Sequence, residues 1–466
     1  MSLLHQDRLF SSDPRRRDIA RDLYREIKGL PIFSPHGHCD PEWFATNAPF
    51  DNPAALLITP DHYVLRMLVS QGVTYEALGV GAGTDPREIW RTFAAHYHLF
   101  LGTPSRLWLD YTFEVLFGLA EPLSPATADA QYDHIAACLG RDAFRPRALF
   151  DQFGIACLAT TDAATDELRQ HAAIQASNWD GAVIPTYRPD AVTDGDNPNF
   201  ANDLNSFQAI ADVDISTFGG YLEAHRVMRA RFRALGAVAT DHGLPDAKTL
   251  DLSMPEMEAL YATLRVDPKP ETSAKFRAAM VTWQARLAQE DGMVMQLHAG
   301  STRNHNAQVF ARHGADKGVD IPRSINFVDD LRPLLNAVGN DPALRIIVFT
   351  LDETTYSREL APLSGAYPAL RLGPPWWFFD SPDGIKRWRE AVTETAGYYN
   401  TVGFNDDTRA FPSVPARHDM ARRCDCAHLA ERVADHRLTE PQAHEIARLL
   451  TYDLPRQTYA LSVPCG

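Results

Sequence analysis

The sequence has few of the features that mark a membrane-bound, secreted or nucleic-acid-binding protein. No stretch approaches the ~18 consecutive apolar residues of a membrane-spanning helix, and the N-terminus lacks the basic and apolar regions of a secretory leader. The six cysteines follow neither a disulfide framework nor a zinc-ribbon spacing. With 45 Lys and Arg against 60 Asp and Glu, the formal net charge is −15, which disfavours binding to nucleic acid. These absences predict a cytoplasmic protein with reduced thiols that binds neither nucleic acid nor membranes.

What the sequence does contain is a pair of histidines directly after a short apolar run. His36 and His38, separated by one glycine, follow residues 30–33, which are typical of a buried strand. Side chains two residues apart on a strand point to the same face, ~6.6 Å apart, so both imidazoles can reach one divalent metal ion. A second copy, His96 and His98, lies in a predicted helix, where side chains two apart diverge, so we expect it not to bind metal.

Short apolar runs alternate with longer helical patterns along most of the chain. The predicted strands are 32–34, 155–159, 182–185, 237–239, 293–297, 344–349, 369–372 and 399–404. Alternation of strand and helix predicts parallel pairing, and eight such units favour an α/β fold of the closed (β/α)8, or TIM, barrel type over an open sheet. We expect a single domain, 1–466, with a large, mostly helical insertion at 40–145 after the first strand.

Polar residues follow nearly every predicted strand, and barrel enzymes build their sites from such strand ends. His36 and His38 from the first strand, His298 from the fifth and an aspartate from the eighth form a mixed nitrogen and oxygen ligand set, which suits zinc or a similar divalent ion. Each residue also has an ordinary structural interpretation. A histidine at a strand end is often simply hydrogen-bonded, and an aspartate there can cap the next helix.

Three arginines, Arg188, Arg303 and Arg409, each follow a predicted strand by a few residues. Guanidinium groups recognise carboxylates through bidentate, charge-assisted hydrogen bonds. Surface ion pairing is the ordinary alternative for each of them taken alone. Three at one end of a barrel favour a small anionic substrate, which a net-acidic protein would otherwise repel.

Several short motifs occur in order along nearly the whole chain. They are Asp61-His62-Tyr63, Thr160-Thr161-Asp162, Thr186-Tyr187-Arg188-Pro189-Asp190, Asp241-His242-Gly243-Leu244, Gln296-Leu297-His298, Arg303-Asn304, Trp376-Trp377-Phe378 and Asp407-Thr408-Arg409. In this order and at these spacings, the chain resembles the uronate isomerases, also named glucuronate isomerases, a branch of the amidohydrolase superfamily.

The resemblance implies an enzyme of carbohydrate metabolism that interconverts D-glucuronate with D-fructuronate and D-galacturonate with D-tagaturonate. It implies a distorted (β/α)8 barrel with one divalent metal ion, commonly zinc, and places His36, His38 and Asp407 at that ion. His298 matches the family's fifth-strand histidine, a weaker candidate ligand that we place with the substrate. The other positions that match the surroundings of the sugar acid are Arg188, Arg303, Arg409, Asp241, Tyr63 and Trp377.

Two segments depart from the pattern of the family. Relatives usually have Thr-Asp-Ser-Arg where this chain has 406–409, Asp-Asp-Thr-Arg, so either Asp406 or Asp407 can match. The single residue between Asp407 and Arg409 favours Asp407. The segment 350–354, Thr-Leu-Asp-Glu-Thr, differs from an Asn-Pro-bearing version in some relatives, and we expect this difference to bear on the preference between the two sugar acids.

An aldose–ketose isomerisation through an enediol needs a base near C2, a proton donor to the carbonyl oxygen and stabilisation of negative charge. We assign Asp407 as the base and Tyr63 as the proton donor or relay. A metal-assisted hydride shift is the rival route. Two other functions stay open: a mononuclear metal-dependent hydrolase of the same superfamily, and a non-catalytic sugar-acid-binding protein. We expect the protein to form a homo-oligomer and to bind a small-molecule uronate as its substrate.

Overall fold

The computed structural model describes residues 3–81 and 83–461, which form a helix-rich, mixed α/β protein. The strands are β1 (Ile32–Ser34), β2 (Ile155–Ala159), β3 (Asp162–Ala163), β4 (Val183–Ile184), β5 (Tyr187–Arg188), β6 (Ala239–Leu244), β7 (Val294–Ala299), β8 (Ser301–Thr302), β9 (Ile321–Pro322), β10 (Ile346–Thr350) and β11 (Leu370–Leu372).

The α-helices fill the intervals between the strands and the two ends of the chain. They are α1 (Pro14–Ile27), α2 (Pro41–Thr46), α3 (Pro53–Leu57), α4 (His62–Val69), α5 (Pro86–His96), α6 (Pro104–Tyr111), α7 (Ala128–Leu139), α8 (Pro146–Gln152), α9 (Arg169–Gln175), α10 (Asp190–Thr193), α11 (Phe200–Ala211), α12 (Phe218–Ala234), α13 (Met254–Val266), α14 (Pro270–Asp291), α15 (Ala307–His313), α16 (Phe327–Asp330), α17 (Arg332–Val338), α18 (Ala361–Ala366), α19 (Pro382–Ala396), α20 (Val414–Ala434), α21 (Glu440–Arg448) and α22 (Leu454–Thr458). Short 3-10 or π turns extend or join several of them.

Strand pairing is parallel in both of the larger sheets. A three-stranded sheet has the order β1-β2-β4, and a six-stranded sheet has the order β11-β10-β7-β6-β5-β3. The two sheets share chain segments, because β3 follows closely on β2 and β5 on β4. Hydrogen bonds from the Thr160 N–H to the Ile184 carbonyl at 2.9 Å and from the Asp162 N–H to the Thr186 carbonyl at 3.0 Å continue the pairing of β2 with β4 into that of β3 with β5. The predicted α/β class with parallel strands is confirmed.

Seven of the eight predicted strands overlap observed strands, and the eighth, 399–404, is wrong. There only Thr401 pairs, through a single parallel bridge to Leu372. Gly403 adopts φ 82°, which turns the backbone away from the extended conformation. The strand predicted at 237–239 instead runs from Ala239 to Leu244, because the polar side chains near its end are buried with partners rather than exposed beyond it. The described strands therefore do not form one continuous closed sheet.

The N-terminal helix forms where its sequence predicts. The side chain of Asp13 accepts a hydrogen bond of 2.9 Å from the Arg16 N–H, and Pro14 occupies the first helical position, where its missing N–H costs nothing. Helices α2 to α8 lie between β1 and β2, in the region of the predicted insertion. Within residues 3–81 and 83–461, no helix combines the length and the apolar character needed to cross a membrane.

Apolar side chains from both larger sheets pack into one shared core. Phe33 of β1 and Cys157 of β2 belong to the same buried cluster as Ala239 of β6, Val294 of β7 and Ile347 of β10. Because these strands belong to different sheets, the two sheets share part of their apolar core. The carboxyl ends of the strands therefore converge on one region, where the polar residues of the candidate site lie.

Candidate active site

The histidine pair and Asp407 meet beyond the carboxyl end of β1. Nε2 of His36 lies 3.4 Å and Nε2 of His38 lies 3.1 Å from Oδ1 of Asp407. Potential ligand atoms of His36, His298 and Asp407 all lie within 4.8 Å of one another. Asp407 has φ 41°, a backbone conformation that residues other than glycine adopt rarely and often at functional sites. The fold thus brings three of the predicted residues together with His298.

His298 is held in the form that can bind a metal ion. Its Nδ1 lies 2.6 Å from Oδ1 of Asp241, and its Nε2 is buried without a hydrogen-bond partner. Burial lowers the pKa of His298 to about 4, so the ring is neutral at neutral pH. Burial would raise the pKa of Asp241, but Arg188 and His298 outweigh it and hold that pKa well below its usual value. A neutral ring that donates from Nδ1 to a carboxylate presents the Nε2 lone pair, as metal-binding histidines do.

Of the two adjacent aspartates, Asp407 faces the histidine pair and Asp406 does not. Oδ2 of Asp406 lies 2.9 Å from Nε2 of His418, and both side chains are buried. Burial would raise the pKa of Asp407, but His36 and His38 hold it well below its usual value, so its carboxyl group is ionised. The geometry therefore favours the same aspartate as the spacing to the following arginine does.

A cavity of about 480 Å³ opens beside the histidine–aspartate cluster. It is lined by His38, His62, Tyr63, Thr161, Ala163, Arg188, Asp190, Ala191, Arg303, Asn304, Ala315, Asp316, Asp320, Trp376, Trp377, Asp407 and Arg409. Every predicted site residue belongs to this lining except His36, Asp241 and His298, which are buried. Residues from seven separated parts of the sequence thus surround one space.

Arg188 is the least exposed of the three predicted arginines. Its Nε donates to Oδ2 of Asp190 at 2.7 Å, and its Nη1 lies 3.2 Å from Oδ2 of Asp241. Since Asp241 also holds His298, Arg188 connects the cavity to that buried histidine. Asp241 was predicted to contact the substrate, but its carboxylate is occupied by these two partners.

Arg303 and Arg409 lie on the more exposed side of the cavity. Nη1 of Arg303 lies 2.9 Å from Oδ2 of Asp320, and its guanidinium carbon lies 5.3 Å from the centre of the Trp377 ring. Nη2 of Arg409 lies 3.0 Å from Oδ2 of Asp316. Nε of Arg409 is buried without a hydrogen-bond partner. Arg409 therefore keeps one N–H donor without a partner.

Tyr63 reaches the cavity from α4 and is attached to a buried ion pair. Its hydroxyl donates to Oδ1 of Asp380 at 2.9 Å and accepts a hydrogen bond of 3.2 Å from the Phe378 N–H. Oδ2 of Asp380 lies 2.7 Å from Nη1 of Arg417. Burial and the Asp380 carboxyl group raise the pKa of Tyr63 well above its usual value, so its hydroxyl stays protonated. The network fixes the direction of the hydroxyl.

Around Tyr63, the residues His62, Asp380 and Arg417 are not among those predicted from the sequence. His62 lines the cavity beside Tyr63, its Nε2 is buried without a partner, and burial together with Arg409 lowers its pKa to about 3. His62 belongs to the motif Asp61-His62-Tyr63, which was singled out from the sequence, but only Tyr63 of that motif was assigned a role. Asp380 and Arg417 carried no local signal, because their contact with Tyr63 joins distant parts of the chain.

The second histidine pair lies in another part of the molecule. His96 ends α5, and its Nδ1 lies 2.8 Å from the Thr92 carbonyl oxygen. His98 lies in the 3-10 turn Tyr97–Phe100 that follows. Neither side chain lines the cavity. That they do not bind metal stays a prediction.

Known proteins that this chain resembles in sequence and fold are glucuronate and uronate isomerases. The family model of glucuronate isomerase matches residues 3–459. A uronate isomerase of Rhizorhabdus wittichii is 56% identical over 459 residues, with 98% of each chain covered. The crystal structure of glucuronate isomerase from Caulobacter crescentus is 55% identical, has a TM-score of 0.97 and covers 98% of this chain and 97% of that one. A uronate isomerase structure from Thermotoga maritima, 25% identical, has a TM-score of 0.92 and covers 98% and 99%. The chain belongs to the glucuronate isomerase family.

Proposed function

We propose that this protein is an aldose–ketose isomerase of uronates, which interconverts D-glucuronate with D-fructuronate and D-galacturonate with D-tagaturonate by proton transfer between C2 and C1. The observation that carries this proposal is a single cavity lined by Asp407, Tyr63 and three arginines. A candidate base, a candidate proton donor and carboxylate-binding groups thus face the same space. Membership of the glucuronate isomerase family supports the same reaction.

We further propose that the strands form a distorted (β/α)8 barrel, with residues 40–145 inserted after β1. The shared apolar core of the two sheets supports closure. So do the bridge between Thr401 and Leu372 and the hydrogen bond of 2.9 Å from the His38 N–H to the Thr408 carbonyl, which joins the eighth segment to the end of the first strand. The insertion supplies α4, and with it Tyr63, to the site.

The site is proposed to bind one divalent metal ion through His36, His38 and Asp407, with His298 as a further candidate. The mutual approach of His36, His298 and Asp407, the distance of 3.1 Å from Nε2 of His38 to Asp407 and the unpartnered Nε2 of His298 support this assignment. Zinc is the proposed ion, because imidazole nitrogens with a carboxylate oxygen are a common zinc ligand set. When bound, such an ion supplies a Lewis acid for a substrate oxygen.

The substrate carboxylate is proposed to bind at the arginines, with Trp377 beside the sugar acid. Arg409 has the clearest capacity, because its free Nε and its Nη2 lie on one edge of the guanidinium group and can bind a carboxylate through two parallel hydrogen bonds. Arg303 lies over the Trp377 ring, and Arg188 is held by two aspartates. The three arginines would offset the negative charge of a uronate in a net-acidic protein.

Asp407 is proposed to remove the proton at C2, and Tyr63 to donate or relay a proton to the substrate oxygen. An ionised carboxylate supports the role of Asp407, and a protonated hydroxyl supports that of Tyr63. Asp380 and the Phe378 N–H hold the Tyr63 oxygen in place at the wall of the cavity. Asp241 is proposed to act through His298 rather than on the substrate.

Turnover of each uronate in heavy water tests the proposed reaction. A proton held by an enzyme base exchanges with solvent, so deuterium should appear at C1 of the ketose or at C2 of the recovered aldose. Absence of deuterium over many turnovers would favour the hydride shift. Absence of any turnover, in a sample whose metal content is measured at the same time, would contradict the isomerase assignment.

The cytoplasmic location and the homo-oligomeric state stay predictions from the sequence. The cysteines of the described part of the chain are free thiols, in keeping with a reducing environment; they are Cys39, Cys138, Cys157, Cys424 and Cys426. The remaining one, Cys465, lies outside the described residues. Size-exclusion chromatography with light scattering would measure the oligomeric state directly.

A further inference from the structure

One wall of the cavity is formed by the loop between β8 and β9, residues 303–320, which we name the strap. The two short strands pair with each other and close the base of the strap. The carbonyl oxygen of Lys317 accepts a hydrogen bond of 2.8 Å from the Tyr75 hydroxyl, and Gly318 packs against the His62 carbonyl. The strap therefore contacts the helical region that also supplies Tyr63.

Asp316 is a strap residue whose carboxylate lies near both Arg303 and Arg409. Its Oδ2 lies 3.0 Å from Nη2 of Arg409, and its Oδ1 lies 4.0 Å from Nη1 of Arg303. The residue has φ 61°, a conformation that residues other than glycine seldom adopt. Its carboxylate thus lies between two of the arginines assigned to the substrate carboxylate.

We propose that Asp316 is an internal competitor for the uronate carboxylate and sets the affinity of the enzyme for its substrate. In the absence of substrate, Asp316 supplies the negative charge beside Arg409, while Arg303 pairs mainly with Asp320. When a uronate binds, its carboxylate replaces that of Asp316 on Arg409. This inference rests on the proposed role of the arginines.

A substrate carboxylate can replace Asp316 on Arg409, because Asp316 contacts only one nitrogen of the guanidinium group. One Asp316 oxygen meets Nη2 alone, whereas Nε of Arg409 is buried and makes no hydrogen bond. A substrate carboxylate can engage both nitrogens of that edge, which is the stronger, bidentate arrangement. The exposed fractions of the two side chains, 41% and 33%, also make the Asp316–Arg409 ion pair a weak one.

The strap does not depend on Asp316 for its attachment. Asp320, which is buried, accepts hydrogen bonds from the Asn304 N–H at 2.6 Å and from Nη1 of Arg303 at 2.9 Å. The contact of Tyr75 with Lys317 provides a second anchor. A purely structural role for Asp316 would therefore duplicate contacts that are already present.

The proposal predicts that removal of the Asp316 charge raises the affinity for the substrate, whereas a structural role for Asp316 predicts no such gain. Asp316→Asn should lower KM for D-glucuronate and D-galacturonate by about three- to fivefold. In the variant the substrate no longer has to displace the Asp316–Arg409 ion pair, and the expected change is about the worth of one exposed ion pair. If Asp316 instead braces the strap, the substitution should raise KM and lower kcat. Asp251→Asn is the matched control, because Asp251 forms a similarly exposed pair with Arg286 and does not line the cavity.

A binding measurement separates this proposal from the proposed reaction. D-Gluconate carries a carboxylate but no carbonyl group, so its binding can be titrated by calorimetry without turnover. Asp316→Asn and Asp316→Ala should both bind it more tightly than the wild type, by the same three- to fivefold, about the worth of one exposed ion pair. Equal or weaker binding by the variants, or no binding by any of the proteins, would overturn the role of Asp316. Tighter binding without uronate turnover in the wild type would instead contradict only the isomerase assignment.

Discussion

The cavity has a buried floor around Asp241 and His298 and a half-exposed rim formed by Arg303, Asp316 and Arg409. The floor residues are 1% and 3% exposed and lie within the strands β6 and β7. The rim side chains are 33–41% exposed and lie on loops. Both carboxylate oxygens of Asp241 have partners, His298 and Arg188, whereas only one oxygen of Asp316 lies within 3.0 Å of Arg409. Charged groups are thus held firmly in one region and loosely in the other.

This difference separates two tasks of the site. Removing one partner of a buried charge pair leaves the other uncompensated and costs about 3–5 kcal/mol, so the floor must stay intact. An exposed ion pair contributes ~0–1 kcal/mol, so the rim can exchange partners at little cost. We infer that the floor fixes the groups that react and that the rim adapts to the substrate.

The largest effect is expected at Tyr63, which connects the cavity to the buried Asp380. Tyr63→Phe deletes only the hydroxyl, so kcat should fall by ~10²–10⁴-fold while metal content stays unchanged. Tyr97→Phe is the matched control, because Tyr97 also donates to an aspartate that is paired with an arginine, Asp110 with Arg106, but lines no part of the cavity. An unimpaired Tyr63→Phe enzyme would leave Tyr63 as a packing residue.

The next effect is expected at Asp241, the aspartate of the floor. Asp241→Asn removes the charge that holds His298 with its proton on Nδ1, so metal affinity and activity should fall by ~10–100-fold. Metal content after dialysis and kcat/KM measure the two losses. Asp425→Asn is the control, since Asp425 forms a buried pair with Arg389 outside the cavity lining and should affect stability alone. Full metal retention by Asp241→Asn would contradict its role in orienting His298.

Acid should weaken the floor and leave the rim arginines unaffected. The pKa of His298 is about 4 in the folded protein against an ordinary value of 6.5. Between these values the unfolded chain binds a proton that the folded protein does not, so the contribution of the neutral ring to stability is complete above ~pH 6.5 and is lost as the pH falls toward 4.

Urea unfolding of the metal-free protein checks this loss. Between about pH 7.5 and about pH 5, the wild type should lose ~2 kcal/mol more than His298→Gln. The same loss in both proteins would show that His298 titrates normally in the folded state.

At the rim the expected effects are on binding. Arg409→Lys keeps the charge but loses the planar fork, so KM for uronates should rise about tenfold, with the free energy of unfolding within ~0.5 kcal/mol of the wild type. Arg188→Lys should also raise KM, but should lower stability as well, because Arg188 holds Asp241 of the floor. Arg286→Lys is the control on the surface. Normal kinetics in both Arg409→Lys and Arg188→Lys would show that these arginines form ion pairs within the protein and do not bind the substrate carboxylate.

The smallest effect, none, is expected at the second histidine pair. Replacing His96 and His98 together by Gln should leave metal content unchanged, because neither lines the cavity or joins the cluster around Asp407. A loss of bound metal without unfolding would show that a second metal site exists in the helical region.

The floor could be predicted from the sequence better than the rim. His36, Asp241 and His298 lie in or next to strands, and strand ends converge whenever strands are parallel. The partner of Arg409, Asp316, depends on the path of a loop, which no local pattern encodes. The Tyr63–Asp380 contact likewise needs the packing of the helical region on the strands. The eighth strand failed for a similar reason, since its apolar pattern is interrupted by a turned backbone.

His36 and Asp407, which share the cluster, stand near opposite ends of the sequence. Contacts between such distant residues form late in folding, because the entropy of closing so long a loop must first be offset by the packing of everything between them. An incomplete chain has only half of the proposed ion site. We infer that the site is complete only once these distant parts of the chain have packed together, so capture of the ion would distinguish finished molecules from unfinished ones.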